Sequence, residues 1–525
     1  EWRSSAYYQL ATLDCRREDW TAAIDHLDAS LATNRDHQKA GTLKALALRK
    51  LGRDDAAIHL LREQLATDPL DHWSAHVLDG AIPTACRNDA QTILDPAFDF
   101  AAARLTAEAL ALLDAHHSSP VEPVAVPNPL ERSAMTRYVR AWLSETPGDL
   151  DAARSQSADH FFPSRIEEMI VLEWALAQPG ADPLAAYGLG NLLFDKRRHA
   201  DAISAWERAV ADDTTIPQVH RNLGIAVWNL RHDGDRAASC YATARGLDPH
   251  DPRLVSESDQ LARKRNRPLD ERLAFLEAHR DLVLQRDDAT VELATLLNLN
   301  GRARDALDLV LSRRFHPWEG GEGAVLRQYT LSRLLLGQHA LDQDDPEEAH
   351  RQFSLAMETP DSLGEAYHPL QARADVNYWL GRSLNSLGRD DEATAAYEAC
   401  ASESGDFTEM AVAEHSPLSW YRGLALRELG REAEARVVFD GMLRHAEERK
   451  AKPATIDYFA TSLPNLLVFD GDLKARRDAE ADLLSALAHH GFGDPEAALD
   501  ALARVTGFDR AQIYAVTLRR KLMTH

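Results

Sequence analysis

Small residues recur along this chain at a fixed interval, with larger apolar residues around them. A Gly or Ala in one stretch is followed twelve positions later by an Ala in the next. The pairs are Ala11/Ala23, Ala45/Ala57, Ala97/Ala109, Gly190/Ala202, Ala294/Ala306, Gly337/Ala349, Gly381/Ala393, Gly423/Ala435 and Ala486/Ala498. Gly224/Ala237 shows the same pair with one extra residue. Ala11 to Ala45, Ala23 to Ala57 and Gly190 to Gly224 are each 34 apart. This pattern predicts two antiparallel helices, A and B, per unit. They cross where only Gly or Ala fits, and larger residues such as Leu27 and Leu61 fill the space beside the crossing. A β-branched or charged residue at Ala202 or Ala393 is expected to disrupt its pair.

The units vary in clarity. Residues 1–71 hold two, with Gly52 between helices A and B of the second and Pro69 at its end. Residues 72–180 are degenerate. Trp73 begins a helix, and a pair runs from about Asp89 to Ala115. Pro120, Pro123, Pro127 and Pro129 then make an extended connection. Helices are expected again at about 131–145, 150–159 and 164–178. Residues 183–250 are the clearest tandem pair, and later pairs carry longer loops. The spacing is that of the tetratricopeptide repeat, and the chain is identified as a member of that superfamily. The expected fold class is all-α, a right-handed superhelical solenoid of antiparallel helix pairs with a concave groove lined by A helices. The expected organisation is 1–115 (N-terminal repeats), 116–182 (degenerate helical connection) and 183–525 (solenoid with long loops).

Composition narrows the function. The 525 residues carry a net charge of -24. That field repels phosphate, so DNA, RNA and anionic lipid are poor partners. No window approaches the ~20 apolar residues of a membrane span. The four cysteines, Cys15, Cys86, Cys240 and Cys400, are far apart. They signal neither zinc site nor disulfide framework, and they fit a reducing, cytoplasmic setting. No cofactor or metal is expected. The first residue is Glu, inside a helical pattern, so a start further upstream is expected.

Three segments escape the repeat. Residues 313–323 contain three glycines, His316, Trp318, Glu319 and Glu322. They read either as a rigid turn plugged by Trp318 or as a contact for a ligand or another domain. Residues 362–369 place Glu365 and His368 three apart, near one face if a helix starts there. Residues 457–470 are apolar and irregular. They suit packing across the end of the solenoid or docking of another domain. Catalytic patterns are decoys. His279-Arg280-Asp281 has Arg286 where a kinase loop needs Asn, and HExxH and GxSxG are absent.

The odd segments carry a narrower resemblance. Residues 314–323, 363–368 and 458–469, with 162–168 and 189–195, resemble a group of large bacterial proteins. Those proteins hold a β-rich, carbohydrate-active-like domain of unknown function upstream of a tetratricopeptide region. Tyr367 stands where the resemblance implies a basic residue. The resemblance implies a helical module of a larger protein. The expected function is a non-catalytic interaction module. It binds a peptide, a partner protein or its own upstream domain through the groove and the loop patch, and a homodimer through the same surface is a variant. Groove candidates are Tyr187, Asn191, Arg221, Asn222, Asn298, Tyr378 and Arg422. The alternative is an accessory part of a carbohydrate-active enzyme. There Trp318 stacks on a sugar, and carboxylates among Glu319, Glu322 and Glu365 contact hydroxyls or act as acid and base, beside His316 and His368.

Overall fold

The computed structural model describes residues 2–80, 90–118, 133–316, 318, 321–368, 370–403, 405–408, 411–454 and 468–524. Two compact units divide the chain, residues 1–223 and 224–525. The proline-rich connection at 120–129 lies outside the described residues.

The first unit begins with α1 (Trp2–Arg16), α2 (Trp20–Thr33), α3 (Gln38–Lys50), α4 (Asp54–Thr67) and α5 (His72–Asp79). It continues with α6 (Ala90–Ala102), α7 (Thr106–Ser118), α8 (Ala134–Ser144), α9 (Pro147–Arg154) and α10 (Ile166–Ala177). Next come α11 (Pro183–Asp195) and α12 (His199–Ala211), and the unit boundary falls within α13 (Pro217–Ala226). The degenerate stretch is held by buried polar caps as well as apolar packing. Asp182, fully buried, caps α11 and accepts a 2.7 Å hydrogen bond from the Tyr138 hydroxyl. Phe161 lies between Tyr138 and Tyr187 and fills the space that the absent side chain of Gly188 leaves.

The second unit opens on a π turn, Val227–Arg231, then α14 (Gly234–Leu247), α15 (Pro252–Lys264), α16 (Leu269–Ala278), α17 (Arg280–Val283) and α18 (Asp287–Leu299). There follow α19 (Ala303–Leu311), α20 (Ala324–Asp342), α21 (Pro346–Ala356), α22 (Ala374–Ser386) and α23 (Asp390–Ser402). A short antiparallel hairpin, β1 (Asp406–Thr408) and β2 (Ala411–Ala413), precedes α24 (Pro417–Glu428) and α25 (Glu432–Ala451). The last helices are α26 (Leu473–Phe492), α27 (Pro495–Phe508) and α28 (Ile513–Thr524). Within each unit, consecutive helices pack as antiparallel pairs, which is the all-α class expected.

Every marker residue faces its partner helix and is buried. The crossings fall into two size classes. Where the A helix offers glycine, the B helix inserts a ring four residues after its alanine. These are Gly190 with Trp206, Gly224 with Tyr241, Gly337 with Phe353, Gly381 with Tyr397 and Gly423 with Phe439. A Cβ on Gly190, Gly337, Gly381 or Gly423 would fall well inside van der Waals contact with that ring. Where the A helix offers alanine, the same B position is aliphatic: Leu27, Leu61, Leu113, Val310 and Leu502, all buried. Volume is thus kept constant across each crossing, as close packing requires.

Turns from A to B are sharp. Gly388 takes φ +69°, a left-handed conformation that a side chain disfavours. Arg389 then opens α23 and its guanidinium holds Glu392 at 2.6 Å. The extra residue in Gly224/Ala237 is absorbed by the π turn, which inserts one residue without breaking the helix pair.

The second unit also closes on itself. Asn266, just after α15, donates to the carbonyls of Thr506 and Gly507 and accepts from the Arg510 amide. Arg520 on α28 donates to the Leu299 carbonyl at 2.7 Å. Pairs of an open stack touch only their neighbours. Here the last helices meet helices more than 200 positions earlier.

Candidate functional site

Two of the three odd segments meet. The Phe315 amide donates to the Ser362 carbonyl at 2.9 Å. Glu365 spends both carboxylate oxygens on the start of α20, accepting from the Gly323 amide at 2.6 Å and the Leu326 amide at 2.7 Å. A helix N-terminus leaves its first amides without intrahelical partners and carries partial positive charge, so a carboxylate satisfies both needs. Phe315 and Leu363 are buried in one cluster, with Trp318 and Tyr367 packed against it. The Trp318 ring covers Gly321. Tyr367 bonds Thr330 at 2.7 Å and lies under the Arg373 guanidinium, 4.0 Å from its centroid. Burial pushes its hydroxyl up to about 12. His316 is 78% exposed and its backbone amide donates to Asp287. Glu322 is exposed. Glu319 lies outside the described residues.

The helix that would have set Glu365 and His368 on one face does not form. A single 3-10 turn, Asp361–Leu363, ends at Gly364 with φ +73°, and residues 365–368 run irregularly. His368 instead accepts from the Leu370 amide through Nδ1. The third segment is described only from 468 onward. Its end seats on the π turn. Asn229 brackets it, donating to the Val468 carbonyl at 3.1 Å and accepting from the Asp470 amide at 2.9 Å. Phe469, buried between, packs on Trp228 and Tyr241.

Three groove candidates of the first unit form one ladder, with a fourth, Tyr187, beside it. Tyr187 lies beside Asn191, whose Oδ1 accepts from Asn222 Nδ2 at 3.0 Å. Asn222 Oδ1 accepts from Arg221 at 3.2 Å. Asn191, Arg221 and Asn222 stay half-exposed on α11 and α13, which are both A helices. Burial raises the Tyr187 hydroxyl, while Asn191 and Arg221 pull it back.

In the second unit the candidates differ in character. Asn298 is buried between α18 and α20, bonded to Gln328 and Ser332. Tyr378 meets the rings of Tyr397 and Tyr421 at a tilt and accepts from Arg382. Arg422 is half-buried, and its Nε has no hydrogen-bond partner among the described residues. Burial lowers its pKa, against the pull of Cys400 and Glu403.

One further cleft has no counterpart in the residue pattern. It holds about 430 Å³ in the first unit, lined by Tyr8, Thr12, His37, Lys39, Asp99 and Arg165 among others. Lys39 and Asp99 pair across it at 2.9 Å. Its walls come from α1, α3 and the residue before it, α6, and the start of α10 with the residue before it. No spacing within one repeat brings them together. Among the described residues no cluster suits a metal ion, and no helix is long and apolar enough to cross a membrane.

Family models cover four of the crossings, Ala11/Ala23, Ala45/Ala57, Gly190/Ala202 and Gly381/Ala393. A family model described as tetratricopeptide repeat matches residues 8–72 and 171–218, and a second matches 374–407. Among solved structures, the P58(IPK) TPR domain is 13% identical, covering 82% of this chain and 98% of its own, with a TM-score of 0.21. Yeast Tom70 is 15% identical over 85% of each chain, with a TM-score of 0.25. The Cut9–Hcn1 hetero-tetramer of the APC/C is 12% identical over 99% and 96%, with a TM-score of 0.25. Residues 8–72, 171–218 and 374–407 of this chain are tetratricopeptide repeats.

Proposed function

We propose that the chain is an interaction module that binds a peptide or a partner protein on the faces of its A helices. The ladder Asn191–Asn222–Arg221, with Tyr187 beside it, carries this reading. Asparagine amides offer a donor and an acceptor each, so two on adjacent A helices can pair with the backbone of a peptide whatever its sequence. Arg221 adds a planar cation suited to a carboxylate. The loop patch around Trp318 supports the reading in a different way. Its carboxylate Glu365 is committed to capping α20 and so contributes to the shape of the patch.

An array of immobilised 15-residue peptides tests this. The native chain is compared with an Asn191→Ala/Arg221→Ala variant of equal helicity. Saturable binding that weakens about ten-fold in the variant is expected, roughly the loss of one hydrogen bond to a charged group. Equal binding by both proteins would end the proposal for this face.

A further inference from the structure

The A-helix face of the second unit is already occupied. Helix α28 follows α27, but its contacts reach far beyond that last pair. Arg520 donates to the carbonyl of Leu299 at the end of α18. Ala515 and Leu518 are buried in the same apolar core as Tyr378 of α22 and Trp420 and Tyr421 of α24, with Tyr514 and Leu522 packed against it. The electrostatic neighbours of Tyr514 are Asp375, Tyr421, Arg327 and Asp406. Those of Lys521 include Arg382 and Asp342. One short helix therefore reaches α18 and shares a core with α22 and α24, with charged groups of α20 nearby. It also packs on α27, the helix before it, and shares its apolar core with α26.

The chemistry of the occupant is specific. Tyr514, Leu518 and Leu522 fall four apart and make one stripe, joined by Ala515. Arg519, Arg520 and Lys521 follow on the exposed side. The charged groups around the helix are Asp342, Asp375 and Asp406 on one side of the balance and Arg327 and Arg382 on the other. Among the described side chains of α28, Ala515 and Leu518 are buried outright and Ile513, Tyr514, Val516, Thr517 and Leu522 are half-buried, so it is held by fewer fully buried residues than α26 or α27. Segments so lightly held open at a fraction of the global unfolding free energy. The chain's net charge of -24 draws basic segments in.

We propose that α28 is an internal occupant of the binding face of the second unit, and that a basic amphipathic helix of a partner protein takes its place. This rests on the reading of A-helix faces as binding surfaces and names the ligand class for one of them. Such helix-in-groove exchange needs an apolar residue at every fourth position and a basic flank. A tethered occupant competes at millimolar effective concentration, so the face binds weakly until α28 leaves.

The probe is a fluorescein-labelled peptide of residues 509–525, titrated by anisotropy against the full chain. Wild type is compared with Ala515→Glu/Leu518→Asp, which ejects α28. The variant is expected to bind at least about ten-fold more tightly, because its face is vacant. Hydrogen exchange should show protection lost over 513–524 and kept over α22 and α24. If α28 exchanges freely and the peptide still does not bind, the proposal is overturned. Should the double variant unfold, Arg520→Ala removes one bond and leaves the apolar stripe intact. It is expected to speed exchange over 513–524 by about five-fold, the equivalent of one net hydrogen bond. Unchanged exchange there, or wild-type exchange over 513–524 no faster than over α22, makes α28 a fixed part of the core and overturns the proposal. Failure here leaves the Asn191/Arg221 comparison in the first unit untouched, and failure there leaves this titration untouched.

Discussion

Arg263 on α15 and Asp509 after α27 meet at 2.8 Å across 246 positions of sequence. They are the outer edge of a charge network. Arg272, 2% exposed, holds Asp259 through two bonds and Glu292 through a third at 2.6 Å. Arg263 also reaches Glu292 at 3.4 Å. The network ties the early pairs of the second unit to its last one.

Arg272→Met should therefore be severe. It leaves Asp259 and Glu292 without their shared cation in a buried place, which costs about 3–5 kcal/mol. Arg263→Met, at a more exposed site, should cost about 1 kcal/mol or less. Urea unfolding followed by circular dichroism measures both. Similar small losses for the two variants would show that the network contributes little.

The two size classes of crossing predict a rescue. Gly337→Ala forces a Cβ into the Phe353 ring and should cost about 1–3 kcal/mol. Phe353→Leu alone leaves a void and should cost about 1–2 kcal/mol. The double variant recreates the pairing of Ala45 with Leu61 and should recover most of the loss. Additive losses in a double-mutant cycle would falsify the complementarity.

The cap on α20 has a local signature. Glu365→Ala should cost about 1 kcal/mol and raise amide exchange at Gly323 and Leu326. Glu365→Gln, which keeps one acceptor, should lose less. Exchange unchanged at those two amides in Glu365→Ala would remove the capping role.

Two groups of the second unit titrate in opposite senses. Burial first, then Glu403 and Asp406, raise the Asp375 carboxyl to about 7. Its folded pKa lies above its unfolded value near 4 (the protonated form suits the fold), so its contribution is complete below about pH 4 and is lost as pH rises through 7. His490 is held down to about 4, chiefly by burial. Its contribution is complete above about pH 6.5 and is lost as pH falls toward 4. Asp375→Asn should flatten the loss on the alkaline side, and His490→Gln the loss on the acid side. Thermal melts from pH 4 to 8 read both. A curve for Asp375→Asn parallel to wild type would refute the assignment.

Much of the fold was legible because packing constraints are local. A twelve-residue interval between small residues fixes where two helices cross, and each marker lies buried where that reasoning puts it. The coupling of glycine to an aromatic ring was also present in the sequence, sixteen positions on from Gly190, Gly337, Gly381 and Gly423, and needed only the B helix read beside the A helix. The site was less legible. Glu365 reads as a free carboxylate until α20 is placed beside it, since capping across segments has no fixed spacing. The Lys39–Asp99 cleft depends on α6 reaching α1 and α3. The inward course of α28 depends on the curvature of a whole unit, which no single repeat encodes. The thirteen-residue interval at Gly224 was visible, but its effect, a π turn displaying Asn229 toward Asp470, is a matter of backbone geometry.

Matched volumes at the helix crossings bear on how such an array can change over time. A single rod cannot be exchanged between units of different class: a glycine rod set against leucine leaves a hole, and an alanine rod set against tyrosine collides. Duplication or shuffling is tolerated when both rods travel together. The smallest portable cassette in this protein is therefore the two-helix hairpin, and engineered extensions should be cut at its outer loops.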